Sequence, residues 1–413
     1  MSAKVVIVSQ HYPPDPSTTA AIMSEIARHL AAKYQVLVCS GTAGSATSGA
    51  AASDQLAVVE IRSHMATKTA LVRRAASELL YAVRAFTSLL RCLRRADVVI
   101  TVTAPFVLPY AVAAAARLRG ARAVLIMHDL FPEVLVTAGL LAPASLPTRL
   151  LRSANALMFQ AFAVVVTIGR DTERLLLRYR GLTQEKIRFI PNWATLTPAV
   201  RPIEPTNRYR RQLSARFVVG LSGNLGFTHD PMIVFEAARL LLGEADIHFL
   251  LSGWGVGFER LKQLQSEVNL ANVSLVDRVD DGNLEQLLSA ANIWLIPYLR
   301  NVAGVSVPSR FYNLLAVGRP VILVSEPEAE AAMTVREKGL GWVVMPGMPE
   351  QLADTIKVAS NAVDVSMAQR AVAAAMDFSL ARAMMSYSGL VDELMQNRDA
   401  INPRQAAGRV HEG

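Results

Sequence analysis

Short β-branched runs alternate with stretches of helical period along almost the whole chain, and that rhythm predicts parallel, doubly wound α/β sheets. In the first half, strands are predicted over residues 5–9, 35–40, 56–61, 98–102, 123–127, 164–167 and 186–190, with helices over 20–32, 71–95, 109–118 and 171–179. The apolar run 98–116 contains Pro105 and Pro109 and opens on VVITVT, so a strand, a proline turn and a short helix explain it better than a membrane span. Around 195–213 the texture changes to TLTPAVRPIEPTNRYRRQL, rich in Pro and Arg and without periodicity, which marks a linker. A second α/β series follows, with strands at 217–221, 247–251, 273–276, 293–296, 321–324 and 342–344 and helices at 231–242, 257–267 and 283–289. Domains are therefore expected over 1–200 and 214–378, joined by a linker at 201–213. A C-terminal helix over 379–397 is expected to pack back toward the first domain, ahead of a flexible tail at 398–413. Residues 44–52, rich in Gly, Ala and Ser, read as a mobile linker without chemistry.

Residues 302–326, VAGVSVPSRFYNLLAVGRPVILVSE, read as a tight loop, a helix and then a strand buried on both faces. Gly304, Ser306, Pro308 and Ser309 are small or turn-forming and precede the apolar run Phe311, Leu314, Leu315. A helix is expected to start there, with Gly318 and Pro320 ending it. Free N–H groups at such a start suit a diphosphate, and Arg310 adds a fixed positive charge at the same turn. An ordinary helix start is the alternative reading.

At 413 residues the chain exceeds one compact core, and 52% hydrophobic against 18% charged residues supports two large cores and excludes extensive disorder. Cys39 and Cys92 show no metal-ligand spacing and lie in apolar surroundings, which fits buried thiols in a reducing cytoplasm. The opening MSAKVVIVSQ has too short an apolar run for a signal peptide and reads as the first strand. A net charge of +8 and a pI near 9.7 call for an anionic partner. Residues 71–95 carry six arginines against one glutamate, with leucines, Tyr81 and Phe86 at helical spacing. This helix suits either an anionic lipid surface or an outer position on the first domain. No nucleic-acid partner is expected, since aromatics do not interleave with basic residues and no zinc-finger or related signature occurs.

Five motifs stand in order along the chain: VSQHYPPDPSTTA after the first strand, HDLFPEV in the middle, IPNW near the end of the first domain, SGNLG opening the second, and VPSRFYNLLAVGRPVI. In that order and spacing the chain resembles a glycosyltransferase of family 4, and within it the bacterial group that builds colanic acid, capsules and O-antigens. The resemblance implies the GT-B architecture, two tandem Rossmann-like domains facing a central cleft. His128 and Asp129 follow the run AVLIM and so end a strand at that cleft, where a histidine suits proton handling. Glu133, after Pro132, either binds an acceptor hydroxyl or satisfies a helix start, and completes the candidate catalytic set. Ser17, Thr18 and Thr19 either cap a helix or contact acceptor or phosphate, and Asn192 joins them on the acceptor side, with Trp193 a core aromatic. The donor side is assigned to Gly223, Asn224, Gly226, His229, Gly253, Arg278, Ser306, Pro308, Ser309, Arg310 and Asn313.

The chain departs from the family's pattern in two places. Asn224 and His229 stand where members carry an arginine and a lysine for the donor diphosphate, which leaves Arg310 as the substitute. The family's paired glutamates fall on Val305 and Asn313, of which only Asn313 can hydrogen-bond a ribose. The resemblance implies retaining transfer from a nucleotide-diphosphate sugar, with UDP the expected nucleotide, to a lipid-linked saccharide at the anionic inner membrane surface. The leaving diphosphate is expected to help deprotonate the acceptor. No Asp-x-Asp motif occurs, so neither an essential metal nor any other cofactor is expected. A sugar-nucleotide epimerase of the same architecture and a non-catalytic partner in a capsule-assembly complex are the alternatives.

Overall fold

The computed structural model describes residues 3–41, 55–61 and 71–396, so the expected linker at 44–52 and tail at 398–413 lie outside the described residues. Among the described residues two parallel sheets organise the chain. The first holds β1 (Val5–Ser9), β2 (Val36–Ser40), β3 (Leu56–Glu60), β4 (Val98–Val102), β5 (Arg122–Met127), β6 (Val164–Thr167) and β7 (Ile187–Phe189), in the order β3-β2-β1-β4-β5-β6-β7. The second holds β8 (Phe217–Asn224), β9 (Ile247–Trp254), β10 (Val273–Asp277), β11 (Ile293–Pro297), β12 (Val321–Val324) and β13 (Gly341–Val344), in the order β10-β9-β8-β11-β12-β13. Strand order reverses between β1 and β4 and between β8 and β11, the positions where sheets of this kind open a crevice for ligands.

β1 and β4 are buried at every position because helices cover both faces of the first sheet, which is why they read as unbroken apolar runs. On one face lie Thr18–Ala31 and Leu380–Gln396; on the other lie Leu71–Cys92, Leu108–Arg119 and Leu146–Ala161. The helix Leu380–Gln396 buries Met384, Tyr387, Val391 and Leu394 in the first sheet's core, at the spacing of one helical face, so the chain returns to the sheet where it began. Lys33 fixes that return with an ion pair to Asp392 at 2.6 Å.

Helix limits differ from the sequence expectation where the apolar pattern misleads. The helix expected over 71–95 ends at Cys92; Tyr81, Ala85 and Leu89 face the sheet while Leu79, Leu80 and Val83 face solvent. The helix expected over 171–179 shortens to Thr172–Leu176. The 16-residue helix Leu146–Ala161 was not expected, because it exposes Leu146, Leu150 and Leu157 and so lacks a single core stripe.

Residues 195–213 form no regular element but are tied to the second sheet's helices, with the Ala199 N–H donating to the Ala316 carbonyl at 2.9 Å. Arg319 anchors the same segment. Almost fully buried, it donates to the carbonyls of Arg201 (2.8 Å), Ala291 (2.9 Å), Ser289 (3.0 Å) and Val317 (3.2 Å). Burial, helped by the nearby Arg210, draws its pKa down to about 10, yet the carbonyl dipoles hold the charge in place of a counter-ion. Arg319→Met is expected to cost about 3 kcal/mol, because four buried carbonyls lose their donors. A chemical-denaturation midpoint equal to wild type would refute that anchoring role.

Candidate active site

Loops at the carboxyl ends of the two sheets meet. Asp129 and Ser306 form an antiparallel bridge, and the Leu130 N–H donates to the Val305 carbonyl at 3.1 Å. Just past β6, the Asp171 carboxylate accepts from the Gly304 N–H at 2.7 Å and the Glu330 N–H at 2.9 Å, while Arg170 pairs with Glu330 at 2.9 Å and Glu337 at 3.1 Å. Gly304 has φ +75°, and a Cβ there would stand 2.8 Å from Leu175 Cδ1 and 2.9 Å from the Asp171 carbonyl oxygen. The first half of the 302–326 segment is therefore a seam between the domains, leaving the turn from Pro308 to Arg310 for a ligand.

On the first domain's side, Thr103 Oγ1 accepts from the backbone N–H groups of His128 (3.2 Å) and Asp129 (3.3 Å), which fixes the chain as it leaves β5. Burial pushes the His128 pKa down to about 4, so the ring is neutral, and its Nε2 is buried without a partner. An orphaned polar atom of this kind is costly unless a ligand satisfies it. The Asp129 carboxyl is raised by burial, which a hydrogen bond from Ser306 partly offsets. Asp129 and Ser306, expected as catalytic and donor-binding residues, thus bind each other.

Across from them, Arg310 opens the seven-residue helix Arg310–Ala316, and the Ser309 hydroxyl before it makes no capping bond. A Cβ on Gly223, which has φ +137°, would lie 3.9 Å from Arg310 Nε, so the glycine keeps the space beside the guanidinium open. Burial lowers the Arg310 pKa; Asp281 opposes that shift and Arg278 adds to it. Among the described residues Arg310 has no hydrogen-bond or ion-pair partner for its side chain. Arg278, after β10, stacks on the Trp254 ring at 4.7 Å and donates to the Pro16 carbonyl at 3.4 Å from the other domain. Asn224 is exposed at the end of β8, and Gly226 beside it is open, its nearest neighbour Asn224 Nδ2 at 3.7 Å from a Cβ position.

Several expected site residues are instead used by the fold. Asn313 Oδ1 accepts from the N–H groups of Thr195 (2.7 Å) and Leu196 (3.2 Å), and its Nδ2 donates to Thr195 Oγ1 at 2.9 Å, so it clamps the linker rather than a ribose. His229 lies against Tyr298, ring centroids 4.9 Å apart, and burial pushes its pKa to about 4, so it is neutral and no substitute for lysine. Glu133 pairs with Arg152 at 3.0 Å and accepts from the Tyr179 hydroxyl at 3.4 Å, joining elements of the first domain in place of an acceptor contact. Asn192 is buried, with its backbone beside the Tyr312 hydroxyl. A Cβ on Gly253 would meet the Gly223 carbonyl oxygen at 2.4 Å, so the pairing of β8 with β9 demands that glycine. Ser17 caps Thr18–Ala31 by accepting from the Ala20 N–H at 3.2 Å; Thr18 beside it is exposed and Thr19 half-buried. Asn313→Ala is expected to lower stability by about 1 to 2 kcal/mol while leaving UDP affinity intact in calorimetry. The opposite pattern would return Asn313 to the ribose.

One pair at the site was missed in the sequence. His11 Nδ1 lies 2.7 Å from Asp15 Oδ2 in the loop after β1. The spacing His-x-x-x-Asp in a proline-rich turn was the available signal, but only the folded loop brings the two side chains together.

Residues 20–197 match the model for Glycosyltransferase Family 4, and residues 216–361 match that for Glycosyl transferases group 1. The chain belongs to the family 4 glycosyltransferases. The gap between the two matches falls on the irregular segment 195–213. This family 4 chain is 30% identical over 266 residues to the Pseudomonas aeruginosa protein named "Probable glycosyltransferase WbjE", and 27% identical over 255 residues to Escherichia coli (strain K12) WcaI, named for colanic acid biosynthesis. Those alignments cover 64% and 59% of the family 4 chain and span 66% and 61% of the two relatives' own lengths. Anabaena HepE, solved in complex with UDP-glucose, superposes with a TM-score of 0.68 at 15% identity, over 94% of this chain and 99% of that one. The GT-B architecture expected from the motifs is the one observed.

Proposed function

We propose that the chain moves a sugar from a nucleotide-diphosphate donor, a UDP-sugar, to a lipid-linked glycan in the assembly of a bacterial surface polysaccharide. The observation that carries this reading is Arg310: a half-buried guanidinium without a protein partner among the described residues, beside an open glycine and near a second arginine, is costly in the free protein and is repaid by a dianionic group. A diphosphate between Arg310 and Arg278 sets the transferring sugar toward the first domain, where His128 Nε2 hydrogen-bonds one of its hydroxyls. Arginine charge on the departing diphosphate is the main electrostatic contribution to the transition state. Support from similar proteins is of two kinds: HepE is solved in complex with UDP-glucose, and WcaI is named for colanic acid biosynthesis.

Thermal shift against UDP-, GDP- and ADP-sugars tests the donor, because a ligand of the folded state raises the melting temperature by mass action. A UDP-sugar is expected to give the largest shift; equal shifts from all three nucleotides would remove the UDP assignment. Incubation with that donor and a membrane lipid extract is then expected to put sugar on lipid with retained anomeric configuration.

The acceptor's lipid brings the enzyme to an anionic membrane face. The helix Leu71–Cys92 exposes Leu79, Leu80 and Val83, and Arg91, Arg94 and Arg95 are exposed at its end. Wild type is expected to sediment with anionic and not neutral vesicles, less so at high salt. Changing the three arginines together to Glu is expected to leave the protein in solution; sedimentation equal to wild type would make the helix an outer layer only.

A further inference from the structure

The loop between β1 and the helix Thr18–Ala31 holds a histidine in one tautomer. Asp15 spends one oxygen on the Ser17 N–H at 2.8 Å and the other on His11 Nδ1 at 2.7 Å, while the Ser9 hydroxyl donates to the His11 carbonyl at 2.7 Å. Burial raises the Asp15 carboxyl, but the hydrogen bonds from His11 and Ser17 outweigh it and hold the group below its ordinary value, so it is an ionised acceptor. A carboxylate only accepts, so Nδ1 carries a proton, and in the uncharged form of the ring the lone pair lies on Nε2. Among the described residues Nε2 has no partner, and the His11 side chain is 28% exposed against 9% for Asp15. The imidazole is thus open to a ligand while its orienting carboxylate is not.

Its position fits the reaction. His11 follows β1 at the switch between β1 and β4, two strands from His128, a separation of roughly 10 Å by strand spacing. The strands are parallel, so both histidines leave the same carboxyl end of the first sheet. The same loop accepts from Arg278 through the Pro16 carbonyl, and Arg278 is the arginine that repels Arg310. The charged groups set against this loop include Asp15 from within it, Arg28 and Glu25 of the following helix beside Tyr12, and Arg278 from the second domain.

We propose that His11, oriented by Asp15, is the base that receives the proton of the acceptor hydroxyl. This rests on the transferase reading above. As the bond from the sugar's anomeric carbon to the diphosphate oxygen breaks and its electron pair leaves with the nucleotide, the acceptor oxygen bonds to that carbon and its proton passes to His11 Nε2. The proton does not stay with the diphosphate, as same-face transfer alone implies.

Two measurements test this on the full chain. In ¹⁵N-histidine NMR of the free protein, assigned by comparison with His11→Gln, His11 is expected as the Nδ1–H tautomer, with that preference lost in Asp15→Asn. An Nε2–H ring in wild type overturns the proposal without any substrate. The second measurement is UDP release from UDP-glucose and UDP-N-acetylglucosamine in the presence of membrane lipid extract. His11→Gln and Asp15→Asn are expected to lower kcat about 100-fold or more, the range of a general base, with UDP affinity and melting temperature within error of wild type. Added imidazole is expected to restore part of the turnover of His11→Ala, which a purely structural role does not permit. If wild type turns over and His11→Gln matches it within threefold, the base assignment alone falls. If wild type releases UDP from neither donor and binds no nucleotide, the transferase reading falls and takes the base with it.

Discussion

Arg310→Met is expected to weaken UDP binding roughly 10- to 100-fold, about 1.5 to 3 kcal/mol for a lost charge-assisted contact, and to stabilise the free protein or leave it unchanged. Both halves follow from the same observation. Arg310 is partly desolvated without a partner, so a methionine of similar length removes a half-buried charge that the free protein holds at a cost. Arg319, nine positions on in the same motif, is the internal control: it is more deeply buried, but four carbonyls satisfy it, so its loss is expected to destabilise the fold. Calorimetry with UDP and a denaturation curve on each variant separate them. Arg310→Met that unfolds early yet binds UDP normally would show that the two arginines had been assigned the wrong way round.

That contrast marks what sequence can carry. Strands and their order of appearance were legible because a sheet covered on both faces needs apolar β-branched runs, and His128 and Asp129 were legible as strand-end polar residues because they follow such a run. Arg310 was legible as a charge at a turn. The uses of Asn313, His229 and Asp171 were not, because each is decided by a partner distant in the chain. Asn313 meets Thr195 across 118 positions, and Asp171 meets Gly304 across 133. A polar residue at a strand end or helix start looks the same whether it faces a ligand or the neighbouring domain. His11 and Asp15 lay the other way: their spacing is local, but nothing short of the loop's path turns both side chains toward each other.

The buried histidines also make the fold acid-labile. His128 and His229 are each pushed down to about 4 by burial, so in the native state they stay neutral while the unfolded chain takes up a proton below its ordinary value near 6.5. The unfolded state then binds more protons, and stability that is complete above pH 6.5 is lost as pH falls toward 4. Between pH 7 and 5 the loss is expected to be about 2 kcal/mol for each histidine. Asp129 and Asp171 act with the opposite sign: burial raises both carboxyls, so the native state takes up their protons before the unfolded chain does and regains some stability as pH drops through their raised values. The histidine loss starts at the ordinary value near 6.5 and so governs the first part of the descent from neutral pH. Denaturation midpoints are therefore expected to fall steadily from pH 7 to 5 in wild type and to change far less in a His128→Gln, His229→Gln double variant. Saturating UDP adds a second check. A donor hydroxyl on His128 Nε2 stabilises the neutral ring only if it donates its proton there, so UDP-sugar, and not UDP alone, is expected to steepen the acid loss; identical slopes with both ligands would place the sugar away from His128.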